Sequence, residues 1–158
     1  VIQTILNQEI PEFRSQIKYR KNAYFQSLKA MFDEVSKKAS QIEPKKRVLA
    51  SYHDSMVPLA ANLNVKYIDL SIVNPSKEEY EEKMSLIKEN NIDIIYQVFG
   101  VDDKNIDELI KYSLETGIVI KKSLPIYTLN IGDKNSNIDS YEKIILFNSH
   151  VIIDGMKN

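Results

Sequence analysis

Hydrophobic residues recur along the first 40 positions with the spacing of helices. In residues 1–10, isoleucine and leucine return every three to four positions, which predicts a short helix. Pro11 suits the first turn of a new helix, because the backbone N–H that proline lacks would be unpaired there anyway. An apolar stripe then predicts one long helix that runs to about Ser40. The stripe consists of Ile17, Tyr24, Leu28, Met31 and Val35.

Beyond the long helix, short apolar runs alternate with amphipathic segments. Pro44 ends the helix, because the residue before a proline avoids helical backbone angles. Strands are predicted at residues 47–52, 66–73, 92–99 and 118–129, the last interrupted by Pro125. Helices are predicted at residues 56–63, 76–90, 103–116 and 141–157. This alternation predicts an α/β fold with a four-stranded, mostly parallel sheet flanked by helices.

Two of these helices carry recognisable end signals. Ser76 and Glu79 have the spacing of a capping box. Asp102 or Asp103 can cap the next helix, and Gly117 suits the end of that helix. The predicted core face of this helix consists of Ile106, Ile110 and Leu114.

Composition narrows the class of protein. The 158 residues are 43% hydrophobic, which is enough for one sizeable core. The 22 acidic and 21 basic residues give a formal charge of −1. We therefore expect no nucleic-acid partner, because such binding depends on a surplus of positive charge. The absence of cysteine excludes disulfides, thiol nucleophiles and thiolate metal sites. The chain begins at Val1, so we expect a processed or truncated product.

Few side chains suit catalysis or metal binding. His53 follows the first predicted strand, at the edge where α/β sheets bind ligands, and a purely structural role for it is equally open. The adjacent residues Asp54 and Ser55 do not make a catalytic triad, because a triad is defined by geometry. His150 on the terminal helix is expected to be packed or exposed. No glycine-rich nucleotide motif is present, and we predict that the protein is not an enzyme.

Several segments resemble the substrate-binding proteins of zinc and manganese ABC transporters. They are YRKNAY at 19–24, KKRVL at 45–49, HDS at 53–55, VDD at 101–103 and the terminal helix with Asn148. Such proteins have two α/β lobes joined by a long helix, with the metal between the lobes. The resemblance implies that residues 1–10 are a remnant of the first lobe, 11–40 the long interlobe helix and 41–158 the C-terminal α/β lobe.

The resemblance transfers the metal site only in part. His53 matches the histidine that this lobe contributes. The family's carboxylate after the second strand has no counterpart in residues 71–75, and the acidic residue after the third strand falls near Val98. The late aspartate falls on Leu129, and Asp133 can substitute only if the loop shifts. The loss of carboxylate ligands lowers the affinity for manganese more than the affinity for zinc, so zinc is the favoured ion. The alternative that the isolated lobe binds no metal stays open.

The implied function is metal binding for an ABC importer, by the C-terminal lobe only. The implied location is outside the cytoplasmic membrane, in the periplasm or lipid-anchored at the cell surface. The expected partners are the missing N-terminal lobe, which supplies further histidines, and the membrane permease. Two alternatives stay open: an adhesin or interaction protein that has lost metal binding, and a small enzyme or phosphoacceptor domain that uses Asp102 or Asp103. A homodimer of the isolated lobe is a further expectation to test.

Overall fold

The computed structural model describes residues 1–128, 130–134 and 136–157. The chain divides into two compact units, Val1–Glu34 and Val35–Asn158. No helix within these described ranges is both long enough and apolar enough to cross a membrane.

The N-terminal unit is helical. Helix α1 spans Ile2–Glu9, and a single 3₁₀ turn spans Pro11–Phe13. Helix α2 spans Arg14–Ser40, and its residues 14–34 belong to this unit. Pro11 lies in the first turn of the 3₁₀ segment, as its missing N–H predicts. Within α2 only Val35 and Ala39 are buried, and Tyr24 of the predicted stripe is exposed.

The second unit alternates strands and helices, which confirms the predicted α/β class. Its strands are β1 (Val48–Ser51), β2 (Lys66–Asp69), β3 (Ile94–Ile95) and β4 (Lys121–Lys122). Its helices are α3 (Val57–Leu63), α4 (Lys77–Glu89), α5 (Lys104–Glu115) and α6 (Tyr141–Lys157).

The sheet is parallel and has the order β2–β1–β3–β4. β1 pairs with β2 over four residues, and β3 pairs with β4 over two. A parallel bridge between Ser51 and Tyr96 joins the two halves. β3 and β4 are shorter than the predicted strands. Beyond them, only a single bridge between Val98 and Ile126 continues the pairing among the described residues. Pro125 contributes to this interruption, because it has no N–H to donate to a neighbouring strand.

Alternate residues of the central strands face opposite sides of the sheet. Leu49 and Tyr96 belong to one hydrophobic cluster, with residues of α3, α6 and the end of α2. Ala50 and Ile95 belong to a second cluster, with residues of α4 and α5. This period-two sorting is the geometry of an extended strand covered by helices on both faces.

Helix α5 faces the core with a slightly different side from the predicted one. Ile106 is buried as expected, but Leu114 is 55% exposed, so its assignment to the core was wrong. Leu109 is fully buried instead. Ser113 also faces inward, and its hydroxyl donates to the carbonyl of Ile110 at 2.7 Å. The inward turn of Ser113 leaves the next residue, Leu114, on the solvent side.

One of the two hydrogen bonds of the predicted capping box forms at the start of α4. The Ser76 hydroxyl accepts a hydrogen bond from the Glu79 N–H at 3.2 Å, as predicted. The Glu79 carboxylate instead accepts from the N–H groups of Val73 and Asn74, each at 3.0 Å, so it organises the loop before the helix. At the start of α5, Asp102 accepts from the Lys104 N–H at 3.0 Å.

Candidate metal-binding histidine at the carboxyl edge of the sheet

His53 lies where the predicted site should be, just after the carboxyl end of β1. Its backbone is extended (φ −140°, ψ 128°), and the residue caps a single 3₁₀ turn over Asp54–Met56. Met56 is fully buried, which anchors the turn in the core. The His53 side chain is 29% exposed, so the imidazole is held by the protein and still reaches solvent.

Three groups surround Nδ1 of the imidazole. The N–H of Ser55 donates to Nδ1 at 3.1 Å, and the Ser55 hydroxyl lies 2.8 Å from the same nitrogen. An Asp54 carboxylate oxygen lies 3.4 Å away. Nδ1 is therefore occupied by contacts within its own turn. Within the described residues, no hydrogen bond involves Nε2.

This arrangement is not that of a catalytic triad. A triad uses both imidazole nitrogens, one towards the serine and one towards the carboxylate. Here Ser55 and Asp54 both face Nδ1. The Asp54 side chain is also 96% exposed, so water weakens its interaction with the ring. The geometry therefore does not relay a proton from the serine hydroxyl through the ring.

Two more distant residues hold the His53 turn. The Ser55 hydroxyl lies 2.7 Å from the hydroxyl of Thr128, which is 73 positions away in the sequence. The Tyr67 hydroxyl donates to the carbonyl oxygen of His53 at 3.2 Å. Burial raises the pKa of Tyr67 to about 12, and the nearby charges of Asp69 and Asp54 act in the same direction. The phenol is therefore protonated at neutral pH and remains a hydrogen-bond donor.

Sequence reasoning missed Thr128 and Tyr67. Neither belongs to a recognisable motif with His53, and only the pairing of distant strands brings them to it. Tyr67 lies in β2, the neighbour of β1, and Thr128 follows the bridge between Val98 and Ile126. The adjacent Ser55 is the one contact that the HDS segment already contained.

The other candidate residues do not join His53. Asp103 pairs with Lys122 at 2.7 Å, and Lys122 also contacts Asp107 at 2.6 Å. Hydrogen bonds to Asp103 and then Asp107 raise the pKa of Lys122. His150 is exposed on α6.

The positions at which the resembled family has acidic ligands supply no second metal ligand among the described residues. Val98 is buried in the first hydrophobic cluster, Asp133 is exposed, and Leu129 lies outside the described residues. Across the described part of the chain, no three histidine, aspartate or glutamate residues come together as a metal site. Among the described residues, the predicted ligand His53 therefore has no complete ligand set around it.

A groove and an aromatic stack flank the His53 turn. The groove has a volume of about 290 Å³, and its walls include Ser55, Thr128 and Tyr127. The ring of Tyr127 stacks on Phe99 with centroids 4.7 Å apart and meets the edge of Phe147 at 5.7 Å. Phe99 is 46% exposed, so this end of the sheet presents aromatic surface to solvent.

Comparison with known proteins places these features in a family. Residues 1–155 match the family described as zinc-uptake complex component A, periplasmic (ZnuA). The chain is 23% identical over 145 residues to the manganese-binding lipoprotein MntA of Bacillus subtilis, covering 88% of this chain and 47% of that protein. It therefore spans about half the length of this curated relative.

Solved structures show the same fold. The periplasmic zinc-binding protein TroA of Treponema pallidum superposes with a TM-score of 0.85 at 19% identity, over 98% of this chain and 57% of that one. The manganese-bound periplasmic metal-binding protein of Candidatus Liberibacter asiaticus gives a TM-score of 0.77 at 15% identity, over 98% and 57%. At these identities the structural likeness establishes the fold alone.

Proposed function

Since the chain belongs to the ZnuA family of metal-binding substrate-binding proteins, we propose that it is the C-terminal lobe of the metal-binding component of an ABC importer. The observation that carries this proposal is the position of His53. It follows β1 at the carboxyl edge of the sheet, and no hydrogen bond within the described residues involves its Nε2. Histidine imidazole is a common ligand for transition metals, zinc among them.

The metal ion is the transported substrate, and the predicted nitrogen ligand favours zinc over manganese. Manganese prefers oxygen ligands, and no group of three acidic or histidine side chains forms in the described ranges. His53 adds a nitrogen, and a first lobe with further histidines would complete a nitrogen-rich set of the kind that zinc accepts. The name of the Bacillus relative mentions manganese and the family description mentions zinc, so both ions belong in the test.

The partners and location follow from the same proposal. A second α/β lobe supplies the remaining ligands, and a membrane permease receives the metal from the loaded protein. The protein acts outside the cytoplasmic membrane, in the periplasm or attached to the cell surface by a lipid. The periplasmic family description and the lipoprotein relative support this location. Binding and release of an ion need no catalytic residue, so the protein acts as a carrier rather than an enzyme.

Metal titration of the longest native product that contains this chain tests the proposal. Zinc and manganese are each titrated calorimetrically into the wild type, His53→Ala and His150→Ala. We expect saturable zinc binding that weakens by about tenfold or more in His53→Ala, because one of few ligands is lost. The exposed His150 is the matched control, and its substitution should leave the affinity unchanged. Equal zinc affinity in the wild type and His53→Ala would contradict the proposal.

A second function is favoured by the aromatic surface beside the site. Phe99 is 46% exposed and stacks on Tyr127 at the edge of the sheet where His53 lies. Exposed aromatic side chains are frequent in protein interfaces. An adhesin or interaction protein that keeps the fold without a metal therefore remains the second candidate. Absence of saturable binding of either ion would favour it over the transport function.

A further inference from the structure

We propose that Tyr67 is a positioning residue for metal binding, because its hydroxyl fixes the turn that carries His53 relative to the sheet. This inference rests on the proposed function, since it takes His53 as a metal ligand. It assigns a role to a side chain of the neighbouring strand β2, 14 positions from His53 in the sequence.

The carbonyl oxygen of His53 accepts two hydrogen bonds of different origin. The Met56 N–H donates to it at 3.2 Å, and this bond closes the 3₁₀ turn that follows β1. The Tyr67 hydroxyl donates to the same oxygen at 3.2 Å. A bond within the turn stabilises the shape of the turn but does not orient it against the rest of the protein. The bond from Tyr67 connects the turn to a different strand, so it sets that orientation.

Tyr67 is itself restrained from two directions. Its backbone is paired with that of Leu49 in the parallel ladder between β1 and β2. Its ring packs against the hydrophobic cluster that contains Leu49, Met56 and Leu63. The hydroxyl therefore reaches His53 from a side chain whose position is determined by both the sheet and the core.

The turn needs such a contact because the backbone pairing of β1 with β2 ends before it. The Leu70 N–H donates to the Ser51 carbonyl at 2.8 Å, two positions before His53. The Tyr67 hydroxyl continues the connection from β2 to the backbone of His53 itself. Without that hydroxyl, the backbone between Ser51 and His53 would gain freedom to rotate, and the imidazole would move with it.

The effect of this hydrogen bond on metal binding is one of geometry. A metal ligand has to be held within about half an ångström of its binding position, so loosening its support lowers affinity. The Ser55 hydroxyl also connects the turn to Thr128, at 2.7 Å. Removal of the Tyr67 hydroxyl therefore loosens the turn without releasing it. We expect a smaller loss of zinc affinity than His53→Ala causes.

Two tyrosine-to-phenylalanine substitutions test the inference. Tyr67→Phe removes the hydroxyl and keeps the ring in the core. Tyr96→Phe is the matched control, because it removes a buried phenol hydroxyl that donates to the Ile152 carbonyl of α6 at 2.9 Å. Zinc is titrated into the wild type and both variants of the longest native product that contains this chain. The dissociation constant should rise about three- to tenfold in Tyr67→Phe and stay unchanged in Tyr96→Phe.

The outcomes separate this inference from the proposed function. Equal losses of zinc affinity in Tyr67→Phe and Tyr96→Phe would overturn the positioning role, because they would reflect a general loss of stability. Unchanged affinity in Tyr67→Phe would also overturn it, and the proposed function would stand as long as His53→Ala weakens zinc binding. If His53→Ala binds zinc as the wild type does, both proposals fail.

Discussion

The side-chain amide of Asn148 makes two hydrogen bonds to the backbone of Tyr127. It donates to the Tyr127 carbonyl at 2.8 Å and accepts from the Tyr127 N–H at 3.0 Å. Asn148 lies on α6 and is 2% exposed. Its amide therefore pairs both backbone groups of Tyr127, as a further strand would at the edge of the sheet.

Loss of this pairing should be costly. Asn148→Leu has a similar volume but leaves the N–H and the carbonyl of Tyr127 without their partners, so we expect the free energy of unfolding to fall by about 2–4 kcal/mol. Urea denaturation measures the change. Asn62→Leu, on the exposed side of α3, is the control and should change stability by less than about 0.5 kcal/mol. An equally stable Asn148→Leu would show that water replaces the amide at no cost.

The ion pair of Lys122 should make stability depend on alkaline pH. Hydrogen bonds to Asp103 and Asp107 raise the pKa of Lys122 above 10.5, so the folded chain holds this proton more tightly than the unfolded chain. The contribution is complete below pH 10.5 and disappears as pH rises through the higher folded-state value. Lys122→Met should cost about 1 kcal/mol at neutral pH, because partial exposure screens the pair.

Urea denaturation of the wild type and Lys122→Met across neutral and alkaline pH checks this prediction. The difference in stability between them should narrow as pH rises above 10.5. The tyrosines with raised pKa values also stabilise the fold less as pH rises. For Tyr67, Tyr80 and Tyr96 this loss does not involve Lys122, so it is common to both proteins. The charge of Lys122 lowers the pKa of Tyr52, so both proteins also carry Tyr52→Phe. A difference that stays constant with pH would exclude the ion pair as its cause.

Gly155 should resist substitution because Tyr96 leaves no room for a side chain. A Cβ at this position of α6 would collide with the Tyr96 hydroxyl and lie 3.0 Å from the ring carbon that bears it. That hydroxyl is buried and donates to the Ile152 carbonyl at 2.9 Å. Gly155→Ala should lower the free energy of unfolding by about 1–2 kcal/mol, because crowding exceeds the gain in helix propensity.

A double-mutant cycle identifies the cause of that loss. Tyr96→Phe removes the hydroxyl and should cost about 1 kcal/mol through the lost hydrogen bond. In the Tyr96→Phe background, Gly155→Ala should cost less than it does in the wild type, since the colliding atom is gone. Thermal or urea unfolding of the four proteins gives the coupling. Strictly additive costs would contradict a collision at this hydroxyl.

Two leucines of α5 should differ sharply in their contribution to stability. Leu109 is fully buried and Leu114 is 55% exposed. Leu109→Ala should cost about 2–5 kcal/mol through lost burial and a residual cavity. Leu114→Ala makes the same chemical change on the same helix and should cost less than about 1 kcal/mol. Urea denaturation of both variants measures the two losses. A loss for Leu114→Ala as large as that for Leu109→Ala, or larger, would contradict this difference in burial.

The order of helices and strands could be predicted because it depends on local patterns. Proline at residues 11 and 44, and the apolar runs that became β1 and β2, mark boundaries that neighbouring residues determine. Leu114 shows where this reasoning ends. Periodicity defines a stripe around α5, and only packing decides which side of that stripe faces inward.

The candidate site was predictable to the extent that it is local. His53 is placed by the end of β1, and Ser55 contacts it from two residues away. Thr128 and Tyr67 contact the same turn because of how the strands pair. The register of that pairing cannot be predicted from the spacing of residues along the chain. The Glu79 carboxylate gives a related example, because it binds loop N–H groups rather than closing the capping box.

The narrow connection between the two halves of the sheet has a consequence for amide exchange. The Tyr96 N–H donates to Ala50 at 2.8 Å, and the Ser51 hydroxyl donates to the Tyr96 carbonyl at 2.7 Å. Both Ser51 and Tyr96 are fully buried, and the two hydrophobic clusters meet the sheet on either side of them. Exchange of this amide requires the buried centre of the sheet to open, so we expect its deuterium exchange to be among the slowest in the α/β unit.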